Sequence, residues 1–281
     1  MPTFSTPEPI AATIELVVGD AWVTLTDRPD TVVDVRPSDV SHEPDVRAAA
    51  QTRVEYDAGR LLIKAAKQRG LGLLGKVGSV DVTIELPAGS QLHGEASSAA
   101  FRCVGCLGEC QIHTSTGDIT VDHAGVLDLH TGAGAIVVTR GVGHAEIRTG
   151  SGNVRLRAID GSAVIKNSNG DNWIGEISGN LRMNTANGDI SVDHAQADVT
   201  AHTANGDVRI GDVVCGSASL KSGCGEIEIS IRSGTAARLD VHTTFGRVHN
   251  HMDTADRPES TDKTIDVRAH TGYGDIVIRR S

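Results

Sequence analysis

The chain has 281 residues but only seven aromatic ones (three Phe, two Tyr, two Trp) against 32 glycines. A core of that composition must come from Val, Ile, Leu and Ala, and small β-branched fillers with frequent glycine suit thin, repetitive β architecture better than a broad α/β enzyme. A formal charge of −10 leaves no general basic surface for nucleic acid or anionic membrane, and no run approaches the roughly 18 apolar residues of a spanning helix.

In chain order, residues 1–9 read as a disordered lead-in without the charged and apolar regions of a leader. Thr13–Val18, Ala21–Thr26, Thr31–Arg36, Thr52–Tyr56, Leu61–Ala65 and Val80–Leu86 alternate or run apolar as strands do. Turns fall at Gly19-Asp20, at Asp27 to Asp30 and at Asp57 to Gly59. Lys67 to Ser79, with Gly70, Gly72, Gly75 and Gly78, reads as a flexible loop. Its GxGxxG lacks the βαβ surroundings of a dinucleotide site. Residues 10–90 are therefore expected to form an antiparallel β-sheet cap over the open edge of the C-terminal region.

From about residue 91 the chain is repetitive. Thr116-Gly-Asp-Ile119, Asn187-Gly-Asp-Ile190, Asn205-Gly-Asp-Val208 and Tyr273-Gly-Asp-Ile276 are one motif, with weaker copies centred on Gly134, Gly152, Gly170, Gly225 and Gly246, and a degenerate one on Ala99. Seven of the nine successive spacings lie within one residue of 18. With the central glycine as position zero, positions −7, −5, +2 and +4 are apolar columns, as in Ala145, Ile147, Val154 and Leu156. Position −3 is Thr or a polar relative: Thr114, Thr131, Thr149, Asn167, Thr185, Thr203, Ser222, Thr243 and Thr271. Each copy is two short strands around a glycine corner and cannot bury its own face. Stacking closes the core. The predicted fold is all-β: a single-stranded β-solenoid (β-helix) of about ten 18-residue coils over residues 91–281, with parallel strands between coils and a loop at 250–263. The position −3 hydroxyls are expected to bond the corner backbone one coil away, and Asn169, Asn187 and Asn205 suit a corner that needs positive φ. Asn172 and Asn250 interrupt inward columns, by a local register slip or by a polar pocket, with Trp173 exposed beside the first.

Few residues stand out from this background as chemistry. Histidines recur at the outward position −4 (His113, His130, His202, His242, His270), with Arg148, Lys166 and Lys221 between them. Position +1 is mostly acidic. One reading is a metal-binding stripe. The other, favoured by the intervening cations, is structural charge pairing across the corner: His113 with Asp118, Lys166 with Asp171, His202 with Asp207, Lys221 with Glu226 and His270 with Asp275. Calcium would need acidic turns twice as often as they occur. Cys103, Cys106 and Cys110 have the look of a zinc cluster, but Cys103 and Cys110 fall in inward columns and Cys215 and Cys224 in others, which favours buried apolar thiols. No catalytic set, cofactor site or metal site is expected. An odd count of five cysteines fits reduced thiols and a soluble, cytoplasmic protein.

Ser79-Val-Asp-Val-Thr-Ile-Glu-Leu-Pro-Ala-Gly-Ser90 leading into units such as Thr114–Val121 and Thr185–Val192 resembles the bacterial putative-adhesin β-strand repeat family, a group common in actinobacteria, over nearly the whole chain. The resemblance implies a β-strand repeat fold, adhesin-like binding and an association of many relatives with the envelope. It transfers no catalytic residue. The expected function is a non-enzymatic binding or scaffold protein that presents flat β faces to a protein or glycan. A polysaccharide-active β-helix enzyme and a polymer-forming cytoskeletal scaffold are the alternatives. With Asp275–Arg280 as the last strand and two arginines beside it, a monomer is expected.

Overall fold

Strands account for nearly all of the regular structure. The computed structural model describes residues 1–66, 77–252 and 263–281, in two compact units, Met1–Val137 and Val138–Ser281. The glycine-rich Gly70–Gly75 segment and most of the 250–263 loop lie outside the described residues.

In the first unit β1 (Thr3–Ser5), β2 (Ala11–Thr26), β3 (Asp30–Pro37), α1 (Glu43–Gln51), β4 (Arg53–Asp57), β5 (Arg60–Lys64), β6 (Val80–Pro87), β7 (Gln91–Thr116) and β8 (Ile119–Ala133) occur in that order. Antiparallel pairing joins β1 to β3, β3 to β6 and β4 to β5. The lead-in is thus corrected: Thr3, Phe4 and Ser5 pair with Val32, Thr31 and Asp30, and the Phe4 ring lies 5.1 Å from that of Tyr56. The cap also contains more than antiparallel strands. β2 runs parallel to β5, β6 and β7, with Ile14 opposite Gly94, Ala21 opposite Phe101 and Val23 opposite Cys103. The cause is Gly19, whose φ of 144° bends β2 as the repeat glycines bend later coils. Gly19-Asp20 is therefore one more repeat corner, with Ile14, Ala21 and Val23 buried at the corresponding columns. α1 is not signalled by alternation. Pro44 at its start and Glu43 and Asp45 in its first turn suit a helix N-terminus.

The chain passes the division within β9 (Ile136–Val142). The second unit continues with β10 (Ala145–Ser151), β11 (Val154–Asp160), β12 (Ala163–Asn169), β13 (Asn172–Ile177), β14 (Leu181–Asn187), β15 (Ile190–Ala195), β16 (Val199–Asn205) and β17 (Val208–Val213). It ends with β18 (Gly216–Cys224), β19 (Ile227–Ile231), β20 (Thr235–Phe245), β21 (Val248–Asn250), β22 (Lys263–Tyr273) and β23 (Ile276–Arg280). Each strand pairs in parallel with the strand one coil on, as in the row Ala145, Ala163, Leu181, Val199, Ala218 and the row Val154, Asn172, Ile190, Val208, Ile227. This is a β-solenoid in the expected register. Ile147 and Val154 are wholly buried in adjacent strands of one coil, and Arg155 is exposed.

The order of the last coils departs from chain order. β22 lies between β18 and β20, with Val267 paired to both Ala218 and Leu239; likewise β23 lies between β19 and β21. The final segment of the chain is thus the penultimate coil in space, and Asp275–Arg280 is not the outer edge. Burial explains the exchange. β22 and β23 supply Ile265, Val267, Ala269, Ile276 and Ile278, all at most 2 % exposed, whereas the outermost coil carries Asn250 in an inward column. An amide is tolerated there only because that position reaches water.

Candidate functional site

The corners hold most of the repeat's polar residues, and the structure assigns each row a task. At Gly188, φ is 135° and a Cβ would stand 2.2 Å from the Gly170 carbonyl oxygen, so only glycine fits. The expected position −3 ladder is present: Thr131 donates to the Gly117 carbonyl at 2.9 Å, Ser222 to Gly206 at 2.8 Å and Thr271 to Gly225 at 2.9 Å. The asparagines form a ladder of their own rather than adopting positive φ, with Asn187 donating to Asn169 at 2.8 Å and Asn205 to Asn187 at 2.9 Å.

The acids at position +1 have a role that the sequence pattern does not announce. Asp118 accepts the Ala135 N–H at 2.7 Å, Asp189 the Asp207 N–H at 2.8 Å, Asp207 the Glu226 N–H at 2.7 Å and Asp275 the Arg247 N–H at 2.8 Å. Each carboxylate caps the backbone of the coil beyond its own. Asp275 capping the β20–β21 corner reflects the exchanged coil order, and this bond, then His249, holds its carboxyl below the usual carboxylate range. Among the described residues none of the five expected corner pairs forms an ion pair. His113 instead stands 3.4 Å from Asp128, and His249 3.3 Å from Asp275. The reason is geometric: next to a bent glycine, the following N–H points along the stack to a carboxylate one coil away.

The position −4 column splits by composition. In the first unit His113 and His130 are neighbours, ring centres 5.9 Å apart, in a groove of about 470 Å³ that also takes in Glu15 and Glu95. Glu15 is bound by Lys64 at 2.5 Å. In the second unit the spatial sequence is Arg148, Lys166, Asn184, His202, Lys221, His270, His242. Burial, then the charges of Lys221 and Arg182, pushes the His202 imidazole down. No group of three metal-ligating side chains comes together among the described residues.

Cys103 and Cys110 are buried and Cys106 is exposed, as the register requires. Hydrogen bonding with Cys103, then burial, pushes the Cys110 thiol well up, so it is a protonated core thiol. Asn172 keeps its register and fills a polar pocket. It is 1 % exposed, accepts from Asn167 at 3.0 Å and donates to Thr185 at 3.0 Å.

On the outward strand face Trp173 is 37 % exposed, with Nε1 donating to the Asp193 carboxylate at 3.2 Å. Gly175 leaves room for the indole, since a Cβ there would meet the ring at 3.3 Å. Arg155 stands beside Trp173 on the neighbouring coil and makes no ion pair among the described residues. Trp22 holds the same repeat position, +3, and faces Arg102. That shared position was the available signal for this pairing.

The model of the family described as Toastrack DUF4097 matches residues 23–281. This chain belongs to the Toastrack family. The Toastrack chain is similar, at 16 % identity and a TM-score of 0.51, to a putative adhesin from Parabacteroides merdae, over 80 % of this chain and 93 % of that one. A putative adhesin from Bacteroides fragilis matches at 13 % identity and a TM-score of 0.24, over 100 % and 95 %. No curated protein matches it. No helix of this Toastrack chain, among the described residues, is long and apolar enough to cross a membrane.

Proposed function

We propose that this chain is a non-enzymatic binding or scaffold protein of adhesin-like type, presenting its outward β faces to a protein or glycan partner. One observation carries the reading. The corner residues at positions −3, −1 and +1 are engaged in ladders between coils, whereas on the outward strand face the part-exposed Trp173 ring stands beside Arg155, which makes no ion pair among the described residues. Trp and Arg are the residue types that dominate recognition surfaces. The description of the Parabacteroides merdae neighbour as a putative adhesin agrees with this. The odd count of five cysteines suits a reducing compartment and supports a cytoplasmic setting, and the adhesin description of the Parabacteroides merdae neighbour supports peripheral contact with the envelope.

The test is a glycan array together with partner capture on the intact protein. Binding should weaken about tenfold or more in Trp173→Ala and Arg155→Ala, with a cooperative melting transition showing that each variant remains folded. New reducing ends appearing in a bound polysaccharide would establish an enzyme and overturn the reading, as would binding that ignores both substitutions.

A further inference from the structure

We propose that a second copy of this chain docks on the outer edge of β20, antiparallel to its own β20 and centred on Leu239. The exchanged coil order makes β20 the outermost strand of its ladder. It pairs with β22 on one side, and no described strand lies on the other. Among the described residues no strand pairs with its outer backbone N–H and C=O groups, and such an edge can template another strand.

The inner face of this coil is unfinished. Leu239 and Val241 on β20 are half-buried, while their column neighbours Val267 and Ala269 are 0 % exposed. A further strand would complete the burial.

The sequence of β20 also selects its partner. In an antiparallel pair, directly opposed residues share a face. With Leu239 on the twofold axis, Leu239 meets Leu239 and Val241 meets Ala237 on the inner side. On the outer side Arg238 meets Asp240, twice by symmetry. Both are exposed, and neither forms an ion pair among the described residues, because the neighbouring Asp266 and Arg268 pair with each other. Such a contact is isologous and closes at two copies. The expectation of a monomer rests on Asp275–Arg280 forming the edge; that strand is interior.

Light scattering and sedimentation of the full chain across the micromolar range test this. The wild type should show a reversible monomer–dimer equilibrium. Arg238→Asp and Asp240→Arg should each oppose like charges at both symmetric positions and weaken dimerisation by about tenfold or more. The double exchange R238D/D240R should restore it, and mixing the two single variants should give a heterodimer. Melting temperatures of the isolated variants report whether each is folded. A wild type monomeric throughout, filaments in place of dimers, or single variants that dimerise like the wild type would overturn the proposal.

Discussion

His202 shows how one side chain inherits its behaviour from its place in a column. The imidazole stacks one coil from Lys221 and lies near Arg182, half withdrawn from water, and burial followed by these two cations lowers its pKa. A proton is therefore bound less readily by the folded chain than by the unfolded one, whose histidine titrates near 6.5. Stability from this group is complete above that value. It falls as pH drops from there toward the lowered folded pKa, because the unfolded state takes up the proton first. Replacing His202 by Gln should flatten the pH dependence. Between about pH 7.5 and about pH 5.5, the variant should lose less melting temperature than the wild type. Equal losses would show that the column does not repel the proton. Asp45, whose carboxyl accepts the Ser79 N–H and then bonds His42, and Asp275 are both held below the usual carboxylate range, so neither takes up a proton in this window.

At the scale of one coil, most of what is buried was legible because one buried face forces period-two alternation, and a glycine corner forces the change of parity. Ile147 and Val154 are buried and Arg155 exposed for that reason alone. Three features escaped. The corner acids look like surface charges, and only the direction of the next N–H along the stack reveals their acceptor role. The Gly19 corner sits beside neighbours that pair antiparallel, which hides its kinship with the repeat. α1 is nine residues long, too short for periodicity to announce it. Asn172 stands out in the sequence as an anomaly, and the structure makes it a two-residue substitution of the standard coil. In the other coils from Gly117 onward position −3 is a hydroxyl and position +2 is aliphatic; here Asn167 donates to Asn172, and the side-chain carbonyl oxygen of Asn167 is buried without a partner. Restoring the pattern with N167T/N172V should place a valine between Val154 and Ile190 and free Thr185 to donate to the Gly170 carbonyl. The double variant should gain about 0.5–2 kcal/mol in denaturant unfolding. A loss instead would mean that the amide pair is worth more than the packing it displaces.

Solenoid stability is a sum of coils and of the interfaces between neighbours, so trimming a simple stack from its C-terminus removes one coil and one interface. Here chain order and spatial order differ, and truncation should not behave that way. Lys263–Ser281 is bonded on both sides, through Ala218 and Ile227 on one and through Leu239 and Val248 on the other. It also reaches back to the preceding coils: Ser281 donates to Asp212 at 2.9 Å, and Arg279 to Ser230 at 3.1 Å. Deleting residues 263–281 therefore removes two interfaces and leaves β20 and β21 with no ladder partner. Those strands, with Arg238, Asp240 and Asn250, cannot replace β22 and β23 against Ile227 and Ile229 without burying an amide in an apolar column. Hydrogen exchange should show protection lost across 235–250 as well as at the β18–β19 edge, while β10 to β15 stay protected. Deleting only the equivalent of one outer coil, residues 235–250 replaced by a short glycine–serine link, should spare β22 and β23. The reverse pattern, with β20 and β21 still protected after loss of 263–281, would mean that the outer coil can dock directly on β18 and that the chain chooses its coil order by kinetics rather than by burial.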